Sequence, residues 1–147
     1  LARAEGIEQT STFTGRVPHD EVSGLMAASD VFVLASEVEA GGTVLAEAQA
    51  LGLTCVATPT WAGRFMVEPE TGVVLPAAAQ VSDDALVAAL TEALTHVTDS
   101  IRAGDYRPET IRARARQRFG EATFVKACRE LYEQARGEIT ESAGSTR

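Results

Sequence analysis

The sequence predicts an α/β fold, a doubly wound parallel sheet with helices on both of its faces. Segments typical of strands and helices alternate four times before the chain becomes helical, and this order is characteristic of parallel strands joined by crossover helices. Continuous apolar runs at 30–36 (DVFVLAS) and 53–58 (LTCVAT) fit strands buried on both faces. The 147 residues are enough for one domain with its own core.

The first third of the chain is predicted to contain a helix end, a strand, a helix and a second strand. Gly6 closes the helix end, as glycine commonly does, and 11–15 is a short strand candidate. A helix is predicted over 18–29, because acidic residues come early and apolar residues follow at helical spacing. A protein seldom begins with the tail of a helix, so we expect a longer chain with a first strand–helix unit upstream.

The rest of the chain continues the alternation and then becomes helical. A helix is predicted over 42–51 and a strand over 53–58, followed by a loop at 59–70, which contains two prolines and has no clear period. A short strand follows at 71–76. The remaining predicted elements are helices at 82–99, 108–119 and 121–137, the last with apolar residues at core spacing, and a disordered polar tail at 138–147.

The composition excludes several classes of function. A net charge of −8 argues against nucleic acid as the main partner, because phosphate backbones attract basic surfaces. No apolar run reaches the roughly 18 residues that span a bilayer, and no signal peptide is visible, so we expect a cytoplasmic protein with no indicated membrane association. The two cysteines and two histidines show no metal-ligand spacing; we expect reduced cysteines and no metal site.

The candidate site lies between the strand at 30–36 and the next helix. In such folds ligands bind at the carboxyl ends of the strands, where Glu39 stands. Gly41 and Gly42 allow close approach of a ligand and leave amides at the helix N-terminus, an arrangement that favours an anion such as phosphate. A tight turn into a helix would need the same glycines, so this alternative remains open.

A second glutamate, Glu47, interrupts the alanine-rich helix. On a helical projection it falls on the same side as Val44, Ala48 and Leu51, which predicts an inward carboxylate held by hydrogen bonds. Alternatively, Glu47 lies at the edge of this apolar stripe and reaches water. Two carboxylates near a phosphate would repel it and would accept hydrogen bonds from sugar hydroxyls instead. A phosphate site between two hydroxyl sites suits a nucleotide sugar.

Residues 12–76 resemble a known family over most of their length. The run FTGRVPHDEVSGLMAASDVFVLASEVEAGGTVLAEAQALGLTCVAT, followed by TGVVLP, is similar to the C-terminal domain of retaining GT-B glycosyltransferases of the GT4 type. The match rests on two glutamates eight residues apart, set among Ser, Gly and Ala in the family's order. The resemblance implies that residues 1–137 form a Rossmann-like nucleotide-sugar-binding domain, the C-terminal half of a GT-B fold.

The resemblance also implies the reaction. Such enzymes transfer a hexose from a UDP-, GDP- or ADP-sugar to an acceptor, here unknown, with retention of configuration and usually without a metal or other cofactor. By position, Glu39 would be the catalytic residue that holds hydroxyls of the transferred sugar, and Glu47 would hold the ribose diol of the donor. The acceptor would bind to an N-terminal domain that this sequence lacks.

Five further residues are implied as donor contacts by the same resemblance. The backbone amides around Gly41, Gly42 and Thr43 would meet the sugar or the diphosphate. The backbone near Arg16 and Val17 would touch the base.

The sequence departs from the family pattern in ways that keep other functions open. Gly41 stands where the family usually has Phe, and the glycine-rich segment at 62–65 lacks its usual Glu. The family's basic pair that neutralises the diphosphate belongs upstream of Leu1. We therefore expect this chain by itself to be inactive. The alternatives are a non-catalytic nucleotide-binding or regulatory module of GT-B fold and a GT-B sugar-nucleotide epimerase.

Overall fold

A computed structural model describes residues 3–144 of the chain, with side chains described for residues 3–136. Its sheet has three parallel strands in the order β1 (Val31–Leu34), β2 (Thr54–Ala57) and β3 (Gly72–Val74). Val31 pairs with Thr54, and Cys55 pairs with Gly72. The parallel α/β architecture predicted from the sequence is confirmed.

Most of the helices lie at the places where the sequence carries helix signals. Ser82 caps the helix that begins at Asp83, because its hydroxyl accepts a hydrogen bond from the amide of Ala85 at 3.2 Å. A left-handed glycine, Gly104, ends the same helix. The helices are α1 (His19–Ala27), α2 (Thr43–Ala50), α3 (Trp61–Met66), α4 (Asp83–Ala103), α5 (Pro108–Phe119) and α6 (Glu121–Gly144), with a 3₁₀ turn at Ala77–Gln80.

The two faces of β2 carry two separate hydrophobic cores. Cys55 and Ala57 pack into the first, with residues of α2 and α3, whereas Val56 points to the second, against α4 and the 3₁₀ turn. Helices therefore cover both sides of the sheet, as in a doubly wound fold. Burial raises the pKa of the Cys55 thiol to about 12, so this thiol is protonated at neutral pH.

Three predictions for the N-terminal half are wrong. Residues 3–6 form a turn instead of a helix end, although Gly6 does have a positive φ of 70°. Residues 11–15 form no strand, and Phe13 is 79% exposed. β1 is only partly buried, with Val33 39% exposed, because it lies at the edge of the sheet that the described residues form. A strand needs a neighbour to complete its hydrogen-bond ladder, and residues 11–15 have none among residues 3–144.

The segment predicted as a loop at 59–70 contains a helix, α3. The hydroxyl of Thr60 accepts a hydrogen bond from the amide of Gly63 at 3.1 Å and so caps the first turn. At the other end, the guanidinium of Arg118 donates to the carbonyl oxygens of Phe65 at 2.6 Å and Met66 at 3.0 Å. Six residues are too few to show a helical period, and the C-terminal cap comes from a distant helix, so the local signal was Thr60 and it did not by itself predict α3.

The arginines of α5 tie this helix to the first core layer. Arg112 donates to the carbonyl oxygen of Leu51 at 3.2 Å, beyond the end of α2. Arg114 forms two hydrogen bonds with the Glu68 carboxylate, at 2.6 and 3.2 Å, and Arg118 lies 3.3 Å from the same carboxylate. These contacts hold α5 against the C-terminal ends of α2 and α3.

Replacing Glu68 should test how much this network stabilises the fold. Arg114 and Arg118 hold the pKa of the Glu68 carboxyl below its usual range. The contribution is therefore fully present above the ordinary glutamate pKa of about 4.3 and is lost as the pH falls through the lower folded value. Glu68→Gln should lower the free energy of unfolding by about 1 kcal/mol at pH 7, since the pair is partly exposed.

The measurement is urea unfolding at several pH values from 7 down to 3, with Glu92→Gln, an exposed carboxylate of α4, as the control. The difference in free energy of unfolding between the wild type and Glu68→Gln should become smaller towards pH 3. A gap of constant size over this range would show that the carboxylate's charge contributes nothing.

Helix α6 is longer and more exposed than predicted. The predicted end at residue 137 is wrong, since the helix continues to Gly144, and the tail predicted as disordered from residue 138 is helical as far as this residue. The rest of that tail, 145–147, lies outside the described residues. Apolar side chains predicted to pack in the core are 65–75% exposed, namely those of Phe124, Leu131 and Tyr132.

Candidate functional site

The loop between β1 and α2 lies at the carboxyl edge of the sheet and carries the first predicted glutamate. Glu39 is half-buried, and its Oε1 accepts hydrogen bonds from the amides of Gly42 at 3.2 Å and Gly41 at 3.4 Å. From the sequence, these two amides were predicted to be free for an anion. They are bound to the protein's own carboxylate instead, which occupies the positive end of the α2 dipole.

The two glycines of this loop differ in how closely their surroundings pack on them. Gly42 has a φ of 63°, and a Cβ added to it would lie 2.6 Å from the Cβ of Ala62 in α3. A side chain at this position would push α3 away from the loop. Around Gly41, by contrast, there is open space within 4 Å of the corresponding Cβ position. Thr43, the first residue of α2, is exposed beside them.

Glu47 points to solvent, and its predicted inward orientation is wrong. The buried face of α2 consists of Leu45, Ala48 and Gln49, so the apolar stripe is turned by about one residue, or roughly 100°, from the one centred on Val44. Most positions of α2 are alanine, valine or leucine, and for this reason the sequence pattern alone did not identify the core face. The alternative, that Glu47 reaches water, agrees with the structure.

The buried polar side chain of α2 is Gln49, which is not part of the predicted stripe of Val44, Ala48 and Leu51. Its Nε2 donates to the carbonyl oxygen of Met66 at 3.0 Å, at the C-terminal end of α3. Its Oε1 is buried without a hydrogen-bond partner among the described residues. Gln49 therefore joins α2 to α3 on the buried side of α2, whereas Glu47 lies on its exposed side.

Glu47 borders a groove between α1 and α2 with a volume of about 350 Å³. The opposite wall includes His19, Asp20 and Ser23 from the first turns of α1. In the described residues the Glu47 carboxylate makes no hydrogen bond, so both of its oxygens are available to a ligand.

The structure brings the predicted residues together in two groups. Glu39, Gly41 and Gly42 are joined by hydrogen bonds and lead into Thr43. Glu47 lines the groove at α1, and the chain enters α1 through the exposed Arg16 and the half-buried Val17. No hydrogen bond within residues 3–144 links Glu47 to Glu39.

A second cleft at the same sheet edge did not appear in the sequence analysis. It has a volume of about 420 Å³ and lies between the ends of β1 and β2 and the start of α4, where it is lined by Ser36, Glu37, Thr58 and Asp83. The Thr58 hydroxyl donates to the carbonyl oxygen of Ser36 at 2.6 Å. The lining contains no Lys, Arg or His, so the cleft suits neutral hydroxyl groups better than phosphate. The sequence signal that could have indicated this cleft is the position of Thr58, directly after β2.

Residues 3–144 contain neither a cluster of metal ligands nor a membrane-spanning helix. No group of three or more His, Cys, Asp or Glu side chains is placed to hold a metal ion within this part of the chain. Among the same residues, no helix is both long enough and apolar enough to cross a membrane.

Comparisons with known proteins agree with this architecture. The family model described as "Glycosyl transferases group 1" matches residues 1–109, a range that includes all three strands and Glu39 and Glu47. The solved structure of sucrose-phosphate synthase from Thermosynechococcus elongatus superposes with a TM-score of 0.67 at 24% identity. The match covers 93% of this chain and 33% of that one, so the chain spans about a third of that protein. No curated protein sequence gives a significant match.

Proposed function

The chain belongs to the group 1 glycosyl transferases, and we propose that it is the donor-binding domain of a retaining enzyme that transfers a hexose from a nucleoside-diphosphate sugar to an acceptor. The observation that carries the proposal is the placement of Glu39 and Glu47. Glu39 lies in the loop at the N-terminus of α2, and Glu47 lines a groove beside the same helix. The acceptor site belongs to a part of the full-length protein outside this chain.

The nucleoside part of the donor is proposed to bind in the groove between α1 and α2. The free carboxylate of Glu47 would accept two hydrogen bonds from the ribose diol, which is a good donor pair for a carboxylate. The base would lie against the backbone of Arg16 and Val17, which precede α1. UDP, GDP and ADP remain the candidate nucleotides.

The sugar and the diphosphate are proposed to lie over the loop at the N-terminus of α2. Glu39 would release the amides of Gly41 and Gly42 when the donor binds, and its carboxylate would then accept hydrogen bonds from the hexose hydroxyls. The released amides and that of Thr43 would face the anionic part of the donor, where the helix dipole favours negative charge. Catalysis would rest on positioning and on charge stabilisation of the leaving diphosphate, without a metal ion.

One observation favours a second function, a module that keeps the fold without the chemistry. Glu39 satisfies the amides of Gly41 and Gly42 by itself, so the loop is complete without a ligand. A regulatory or nucleotide-binding module would have this property and would show no turnover in the full-length protein.

A binding titration separates these functions. UDP, GDP and ADP, each with and without a hexose, would be titrated against the full-length protein by calorimetry, and hexose transfer would be measured with the nucleotide sugar that binds. Binding of one nucleotide with turnover supports the donor-binding domain. Binding without turnover over a panel of acceptors supports the module, and no binding of any nucleotide contradicts both.

Replacing Glu47 should weaken nucleotide binding selectively. Glu47→Gln removes a charged acceptor of the ribose diol, which should cost roughly 1–3 kcal/mol of binding free energy. Because Glu47 is exposed, the free energy of unfolding of the Glu47→Gln variant should equal that of the wild type. Glu92→Gln, which removes an exposed carboxylate from α4, is the matched control and should bind like the wild type. Unchanged binding in Glu47→Gln would remove the ribose-binding role.

A further inference from the structure

Helix α3 has an exposed aromatic face. Its buried residues are Ala62, Gly63 and Met66, whereas Trp61 and Phe65 are 63% and 52% exposed. Large aromatic side chains dominate binding energetics where they are buried by a ligand, and leaving two of them in water is costly unless something covers them.

The two rings form an ordered surface. Trp61 and Phe65 are stacked with their centroids 5.1 Å apart and an angle of 7° between their planes. The guanidinium of Arg118 lies 5.7 Å from the centroid of Phe65 and donates to the carbonyl oxygen of the same residue at 2.6 Å. Phe65 is thus held by α5 through its backbone and its ring, and it supports the ring of Trp61. We call the pair Trp61 and Phe65 the aromatic platform.

The first turn of α3, which carries Trp61, borders the candidate site. Ala62, the residue after Trp61, packs so closely on Gly42 that no side chain fits between them. Gly42 in turn donates to Glu39. The start of α3 therefore borders the loop over which the sugar of the donor is proposed to lie, whereas the groove for the nucleoside is bordered by α1.

The chemistry of this face matches a sugar ring. A pyranose presents a face of C–H groups, which packs on a flat aromatic ring, and an edge of hydroxyls, which needs polar partners. Arg64 is exposed on the same side of α3, and its guanidinium makes no hydrogen bond or ion pair within the described residues. Its five N–H donors are therefore available to hydroxyls at the edge of the platform.

We propose that the aromatic platform binds the hexose ring of the donor, with the ring stacked on Trp61 and its hydroxyls bonded by Arg64. The inference rests on the proposed function and adds a second sugar contact to that of Glu39. It assigns the platform to the sugar, and stacking of the nucleobase on Trp61 is an outcome of the test.

The test compares a nucleotide sugar with the same nucleoside diphosphate lacking the hexose. Trp61 is the single tryptophan of this chain, so the fluorescence that is lost in Trp61→Phe reports on this ring. In the full-length wild type, this fluorescence should change with the nucleotide sugar and stay constant with the nucleoside diphosphate. Trp61→Ala should lower the affinity for the nucleotide sugar about 10-fold and leave that for the nucleoside diphosphate unchanged.

Two variants control for indirect effects. Trp61→Phe keeps a flat ring and should retain most of the affinity, whereas Tyr132→Ala removes an exposed aromatic ring from α6 and should bind like the wild type. Equal losses for both ligands in Trp61→Ala would assign the platform to the nucleotide and overturn the inference. Wild-type affinity for both ligands in Trp61→Ala would overturn it too, while leaving the proposed function intact. A wild type that binds neither ligand would overturn the proposed function and this inference with it.

Discussion

Gly72→Ala should lower the free energy of unfolding by more than about 4 kcal/mol, an exceptional loss for one methyl group. Gly72 begins β3 with a φ of 154°, and an added Cβ would overlap the carbonyl oxygen of Cys55 and lie 2.7 Å from its carbonyl carbon. All of the clashing atoms belong to the backbone of β2, which is paired on both sides, so no side chain can move to relieve them. The variant must separate β3 from β2 or fail to fold.

The matched control for this substitution is Gly104→Ala. Gly104 also has a positive φ, 82°, but nothing lies within 4 Å of an added Cβ. Gly104→Ala should lower the free energy of unfolding by only about 1 kcal/mol, the usual cost of a left-handed conformation for a residue with a side chain. Urea unfolding followed by circular dichroism measures both variants. Similar losses in the two would show that the contact with β2 relaxes easily and would contradict the close packing of Gly72 on Cys55.

Glu39→Gln in the full-length protein should reduce turnover about 100-fold, as expected when a group that positions and stabilises the reacting sugar loses its charge. Affinity for the free nucleoside diphosphate should change by no more than about 3-fold, because that ligand has no hexose. Gln keeps an oxygen that can accept from the amides of Gly41 and Gly42, so the loop should keep its shape. The substitution therefore separates the charge of Glu39 from its structural bonds.

The control is Glu37→Gln, in the same loop. Glu37 is exposed, and its carboxylate makes no hydrogen bond in the described part of the chain. Steady-state kinetics and calorimetry on both variants give turnover and binding separately. Equal losses of turnover and of nucleoside-diphosphate affinity in Glu39→Gln would remove the sugar-positioning role, and equal losses of turnover in the two variants would indicate a general effect of loop charge.

Local signals in the sequence were sufficient for most of the fold. The apolar runs predicted β1 and β2, and Ser82 with the acidic residues after it predicted the start of α4. These signals are strong because a strand in a parallel sheet requires a run of apolar residues, and a helix N-terminus favours a capping side chain such as that of Ser82. The position of Glu39 in a loop at the carboxyl edge of the sheet followed from the order of elements alone.

The sequence by itself thus determined the α/β class, the order of β1, β2 and β3 and the loop that carries Glu39. Only the tertiary structure decided which face of α2 is buried, that α3 is a helix, and that Glu39 binds its own loop. The physical reason is the same in each case. An alanine-rich helix has no distinct apolar stripe, a six-residue helix capped by Arg118 depends on a partner 50 or more positions away, and a carboxylate bonds whichever amides the fold brings near it.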